Sequence, residues 1–193
     1  MFEKFKNTKA IIFDMRGYPQ GTAWLIAPRL TERQQVVAAR FRRPLALGPD
    51  GRTGDVSTLG AEWDFVQYLP DSGRWKYRGQ TVMLIDERAM SQAEHAGLFL
   101  EAANNTKFVG SRSAGANGDV ARFTVPGGIT ISFSGHDVRH ADGRQLQRVG
   151  LIPDVEVKPT IRGIRAGRDE VLERALEFLE VHGAKLSKVG EAR

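Results

Sequence analysis

Apolar residues fall in short blocks separated by polar, glycine-rich stretches, and two periods run through them. "AIIFDMR" (10–16), "TVMLID" (81–86) and "KFVGS" (107–111) are β-branched or aromatic runs ended by turn or charged residues, which predicts strands. Between the last two lies a longer segment of helical period, predicted as a helix over 91–104. A strand, helix and strand in that order form a β-α-β unit, so the three strands are expected as parallel neighbours in one sheet. "ARFTVPGGITISFSG" (121–135) reads as two strands joined at Pro126-Gly127-Gly128, a hairpin. "DVEVKPT" (154–160) alternates and predicts a short strand. "RDEVLERALEFLEVHG" (168–183) is the clearest helix: Val171, Leu172, Ala175, Leu176 and Leu179 form one face, Asp169 and Glu170 sit in the first turn, and Gly183 suits a C-cap. The segment 48–80 is glycine-rich and reads as a long excursion from the main sheet. No repeat or linker divides the chain, so one domain is expected over 1–183, with a frayed tail at 184–193.

Composition narrows the classes. The 193 residues suffice for one sizeable core, and 41% hydrophobic with 26% charged residues is ordinary for a globular domain. The formal charge of +5 raises nucleic acid as a partner, but the arginines are scattered (40, 42, 43; 139, 144, 148; 162, 165, 168) and no aromatics interleave with them. The reading is no nucleic acid. No apolar run approaches the roughly 20 residues of a membrane span, so no membrane partner is expected. The opening "MFEKFKNTKAIIFDMRG" has no signal-peptide apolar region and no cleavage site, which leaves the compartment unassigned. Without cysteine there are no disulfides, thiolate metal sites or cysteine nucleophiles. Four scattered histidines lack metal-ligand spacing; neither metal nor cofactor is expected.

The chemistry gathers where strands end. Ser91 falls where a turn becomes a helix, with Glu94 three residues on. That is the pattern of a capping box. The same geometry serves a nucleophile, because unpaired N–H groups and the positive end of the helix dipole would stabilise an anion forming there. "DMRGYPQG" ends the first strand in a turn carrying Gly17, Pro19 and Gly21, either a plain tight turn or a glycine N–H offered to a substrate carbonyl. "VGSRSAGANGD" is a polar, glycine-rich loop, and "DGRQLQRVGLIPDVEV" closes the series.

In this order and spacing the four stretches resemble the catalytic domain of the tail-specific, or C-terminal processing, serine peptidases and their tricorn and interphotoreceptor-retinoid-binding-protein relatives. That family has an Asp-Leu-Arg-Gly-Asn-Pro-Gly-Gly type turn (here "DMRGYPQG") and a Ser-Ala-Ser-Glu type helix start (here "MSQAE"). A Val-Gly-Glu-Arg-Thr type strand and glycine-rich loop follow (here "FVGSRSAGANG"), then a Gly-Ile-x-Pro-Asp-Val-x-Val close (here "GLIPDVEV"). The match covers roughly 8–182. It implies a crotonase-like α/β core with parallel β-α-β units and an extra hairpin. It places Ser91 on the nucleophile, the Gln92 N–H and a glycine N–H, most simply Gly17, on the oxyanion hole, and Glu94 on the family's glutamate; Asn117 of the "AGAN" loop is the further supporting residue. The lysine base of the bacterial branch falls on Ala116, and Lys107 lies at the start of the preceding strand. The "AGAN" loop looks more like the tricorn branch, whose activating histidine comes from upstream of the first strand and whose supporting glutamate falls near Gln147. The PDZ module and N-terminal region common in the family are not in this sequence.

A local base is therefore sought among the histidines. His95 lies one turn after Ser91 on a similar side of the helix, and helical side chains lean toward the N-terminus. His136 and His140 follow a strand near the rim, with Asp137 or Asp142 to orient either one. A base near its ordinary pKa of about 6.5 would give a rate rising through that pH. The reading is a serine hydrolase cutting peptide or small ester bonds through Ser91, in a concavity between the "DMRGYPQG" turn and the "SAGANG" loop. The alternatives are a non-catalytic peptide- or ligand-binding domain, or a fragment that completes its site with a partner subunit; homo-oligomers fit either.

Overall fold

In a computed structural model the protein is described over residues 2–21, 23–44 and 62–190. Four parallel strands form the main sheet in the order β1 (Ala10–Asp14), β4 (Gln80–Ile85), β5 (Lys107–Gly110), β9 (Val155–Glu156). The three strands expected as parallel neighbours are so paired, and the short strand expected over 154–160 is β9, reduced to two residues. The helix expected over 91–104 is α2 (Gln92–Asn104), ended by Asn105 in the left-handed region.

β4 is buried on both faces, which is why its sequence is continuously apolar rather than alternating. Met83 and Ile85 pack with Leu98, Phe99 and Leu100 of α2, in one cluster with Ala38, Ala39 and Val138. Val82 and Leu84, with Val109, pack on Val171 and Ala175 of α4 (Glu170–Gly190). The layers thus run α4, parallel sheet, α2, and then a second sheet of order β3 (Glu62–Tyr68), β2 (Val37–Pro44), β8 (Asp137–His140), antiparallel throughout. This second sheet was not foreseen. Its members carry Arg40, Arg42 and Arg43 amid apolar positions, and the polar residues obscure the strand period. Residues 45–61, much of the expected excursion, lie outside the described residues; β3 occupies its later part.

The hairpin is present as β6 (Val120–Val125) and β7 (Ile129–Ser134), turning at 126–128. Its register places Ala121, Phe123 and Val125 beside Phe133, Ile131 and Ile129 on one face, and the large members of that face remain exposed. Two details of α4 differ from expectation. Leu176 is exposed, and Phe178 joins Leu172 and Leu179 against the sheet instead. The helix also runs through Gly183 to Gly190, so Gly183 does not cap it and 184–190 are helical.

Candidate active site

Parallel pairing brings the C-terminal ends of β1, β4 and β5 to one edge, and the chemistry-bearing loops leave from it. The Met15 N–H donates to Leu84 O (3.1 Å) and the Ser111 N–H to Ile85 O (3.2 Å), so the turn after β1 and the loop after β5 flank the turn before α2. Ala114 N–H donates to Ala89 O (3.0 Å), tying that loop to the same turn. Gly110 has no alternative residue here: φ is +134°, and an added Cβ would lie 1.9 Å from Ile85 O.

Ser91 stands at the N-cap of α2 and is half-buried. Its backbone is at φ +49°, ψ −107°, a conformation that a residue with a Cβ adopts only when its surroundings impose it. The agent is Glu94, which is fully buried. Its Oε2 accepts the N–H groups of Ser91 (3.1 Å) and Ala116 (3.0 Å); its Oε1 accepts the Gly115 N–H (2.6 Å) and the Ser113 hydroxyl (2.6 Å). The Ser113 oxygen in turn accepts the Leu151 N–H (2.7 Å), reaching the closing "GLIPD" segment. One carboxylate, with no cationic partner among the described residues, thereby joins the serine turn, the "SAGANG" loop and the chain at Leu151. Four donors, two to each oxygen, satisfy the hydrogen-bonding capacity of a carboxylate removed from water.

The first turn is held differently. Arg16 reaches Asp14 through Nε (2.9 Å) and Nη2 (2.6 Å), and Asp169 at the start of α4 through Nη1 (2.8 Å) and Nη2 (2.7 Å). The hydrogen bonds from Arg16 hold both carboxyls below their ordinary range, and those carboxylates push the guanidinium pKa up. Gly17 follows at φ +133°, and among the described residues no acceptor takes its N–H, nor that of Gln92 at the head of α2.

The histidines separate into three environments. The ring of His95 does not hydrogen-bond Ser91; the two residues are joined only through the helix backbone, His95 N–H to Ser91 O (2.9 Å). Its ring packs near Phe41 and Phe99 (centroids 5.8 and 5.0 Å), with Nε2 2.7 Å from Gln67 Oε1 and Nδ1 3.3 Å from Asn117 Nδ2. The Asn117 Nδ2 can only donate, so Nδ1 accepts and the proton is on Nε2. Burial pushes the pKa of His95 down to about 4, which overturns the expected rate rise near 6.5 for this residue. His136 lies edge-on to Phe41 and Phe65, its side chain 11% exposed, with Nδ1 3.6 Å from Asp119 Oδ2 and no hydrogen bond to either ring nitrogen. The carboxylate beside it is thus Asp119; Asp137 pairs with Arg139 and Asp142 with Arg144. His140 is at the far side: its Nδ1 meets Glu101 Oε2 (2.6 Å), ten residues or about 15 Å along α2 from Ser91. Burial alone would raise the Glu101 carboxyl, but hydrogen bonds from His140 and Arg144 outweigh it and hold that pKa low.

Of the remaining expected positions, Asn117 is buried against His95, and Gln147 has a buried Oε1 without a hydrogen-bond partner. Lys107 pairs with Asp154 (2.9 Å) at the opposite edge of the sheet. At that edge a cavity of about 740 Å³ opens among Thr31, Tyr77, Arg78, Thr81 and Phe178. Ser91 lines neither it nor the three further cavities described around Tyr68, Glu101 and Trp24; it stands beside the exposed Met90. Sequence reasoning missed Ser113, Gln67 and Asp119, whose roles depend on pairings distant in the chain. The Arg16–Asp169 bridge had a signal, an arginine in the first turn and an acid heading the last helix.

The model of peptidase family S41 matches residues 1–157, and the chain belongs to that family. No curated protein matches it in sequence. Solved structures share its α/β fold. A Parabacteroides merdae protein assigned as a peptidase superposes with TM-score 0.76 at 22% identity, covering 92% of this chain and 54% of its own. Mature CPAF in complex with lactacystin gives 0.68 at 18%, covering 100% and 47%. The tricorn protease gives 0.58 at 16%, covering 96% and 16%. The chain therefore spans about half, or less, of the length of these structures.

Proposed function

We propose that this chain carries the nucleophile and oxyanion hole of a serine hydrolase acting on peptide or small ester bonds. Ser91 Oγ attacks the substrate carbonyl carbon as its proton passes to a base. The N–H groups of Gly17 and Gln92 receive the oxyanion. The base returns the proton to the leaving amine or alcohol, and water then hydrolyses the acyl-serine. The observation that carries the reading is the Ser91 backbone, strained at a helix N-terminus and held there by a buried carboxylate that also holds the neighbouring loop. Strain retained at a polar helix start is a signature of function rather than of packing.

For the base, His136 is favoured over His95. Both nitrogens of His95 are engaged, whereas among the described residues neither ring nitrogen of His136 has a hydrogen-bond partner and the Asp119 carboxylate lies 3.6 Å from its Nδ1. The His136 N–H donates to Gly118 O (3.1 Å), two residues from the Ala116 N–H that shares Glu94 with Ser91. Glu94 positions Ser91, and Asn117 fixes the ring of His95.

The test is labelling by a fluorophosphonate probe in wild type and Ser91→Ala. Wild type should be labelled at Ser91 and the variant not at all. Failure to label, or labelling at another residue, overturns the reading in favour of a binding domain.

A further inference from the structure

Resting on that reading, the structure assigns Asp169 as a positioning residue for the oxyanion turn: through Arg16 it fixes the peptide that presents the Gly17 N–H. Asp169 lies beyond residues 1–157 and carries no chemistry of its own.

Gly17 has φ +133° and nothing within 4 Å of the position a Cβ would occupy, so no packed side chain holds it in place. Tyr18 is 67% exposed and anchors nothing. The last ladder bond before the turn is Met15 N–H to Leu84 O (3.1 Å). Between that bond and Gly17 stands Arg16 alone. Its guanidinium ties the turn to a distant part of the chain, and it is clamped on two sides.

The two clamps differ in kind. Asp14 is two residues away, at the end of β1, and takes both the Arg16 side chain and the Arg16 N–H (3.1 Å), a local loop that shapes the turn but ties it only to its own strand. Asp169 is 153 residues away and accepts two parallel N–H bonds, at 2.8 and 2.7 Å, the planar fork geometry that fixes orientation as well as distance. Asp169 is itself immobilised, because its Oδ1 also accepts the Leu172 N–H (3.0 Å) as the cap of α4. α4 in turn packs Val171 and Ala175 on Val82 and Leu84 of β4, the strand that delivers Ser91. A rigid path therefore runs from the nucleophile's strand, through α4 and Asp169, to the turn that supplies the oxyanion donor. That donor needs placing to a fraction of an ångström, and a bidentate bridge to a capped helix supplies what a two-residue loop does not.

Asp169→Asn separates this role from stability. Asparagine keeps the cap, since its Oδ1 still accepts from Leu172, but it loses the charge and one acceptor of the fork. The first-order rate of fluorophosphonate labelling should fall about 10- to 100-fold, short of the full loss of an oxyanion donor, with probe affinity changed by less than about threefold. Arg16→Gln, which cuts the same bridge from the other end, should reproduce the effect. Thr160→Ala removes the cap of α3 (Ile161–Arg165), the bond from the Gly163 N–H, and also the hydroxyl's bond to Glu170 Oε1 (3.1 Å) in the first turn of α4; it leaves the Arg16–Asp169 bridge in place and so serves as the control for local destabilisation. The Gly17 amide provides a readout free of chemistry: its NMR order parameter should fall in Asp169→Asn while that of Gln92 is unchanged. The inference is overturned if Asp169→Asn labels at the wild-type rate, if Thr160→Ala slows labelling as much, or if the Gly17 amide is unaltered. Should wild type take no probe at all, the hydrolase reading fails, and the Gly17 amide alone still decides whether Asp169 holds the turn.

Discussion

Acidification should destabilise this protein through His95 well before its carboxylates titrate. In the folded chain the ring is neutral, donates from Nε2 to Gln67, accepts at Nδ1 from Asn117 and packs near Phe99. Burial lowers its pKa from 6.5 to about 4. The unfolded chain takes up a proton near the ordinary value and the folded chain resists until about pH 4, so the unfolded state binds more protons in between. Stability is therefore full above about pH 6.5, falls as pH drops toward 4, and loses nothing further from this group below that. At 1.36 kcal/mol per pKa unit the whole effect is about 3 kcal/mol, of which roughly 2 kcal/mol is lost between pH 7 and pH 5. Urea unfolding of wild type and His95→Gln at a series of pH values isolates it, because the other low-pH groups titrate in both proteins. The difference between the two stabilities should shrink by roughly 2 kcal/mol from pH 7 to pH 5. Curves that stay parallel within about 0.5 kcal/mol would refute the assignment of a buried neutral ring. The same number bears on catalysis: if His95 rather than His136 is the base, the labelling rate rises near pH 4 and is flat from about 5 upward.

Two further substitutions test the frame of the site. Glu94→Gln puts an NH2 group where two N–H donors now point, and should cost about 2–4 kcal/mol in urea unfolding while slowing Ser91 labelling; an unchanged unfolding midpoint would show that the carboxylate does not hold the loops. Gly110→Ala drives a Cβ to 1.9 Å from Ile85 O at φ +134°, and should cost at least about 3 kcal/mol or prevent folding, read by circular dichroism against temperature.

The parallel sheet was legible because its strands obey a local rule: continuous apolar runs around one amphipathic helix allow one right-handed crossover. β2 and β3 were not, because a strand that exposes Arg40 and Arg42 while burying Ala38 and Ala39 has its period broken by a bulge between Val37 and Ala39. Helical spacing alone turns Leu176 inward, yet Leu176 is exposed and Phe178 packs on the sheet-facing side of α4 with Leu172 and Leu179. Ser91 and Glu94 were visible as a capping pattern three residues apart. What the pattern did not reveal is that the same carboxylate also gathers Ser113, Gly115 and Ala116, since those partners are 19 to 22 residues away.

The histidines show most plainly why a site resists sequence reading. His95, His136 and His140 are similar on the chain, each with a charged residue beside it and none set apart by a local pattern. Their separation comes from the second sheet, whose strands could not be read. β2 and β3 supply Phe41, Phe65 and Gln67, and those three side chains decide that His95 is sealed and bonded while His136 is enclosed without a hydrogen-bond partner. β8 carries His140 to Glu101, away from the serine. A misread sheet thus propagates directly into the ranking of bases. By contrast Gly17 lies in a turn, and Ser91 and Glu94 at a helix start, that follow directly from strands of the parallel sheet, so their places in the fold could be read from the local strand and helix pattern.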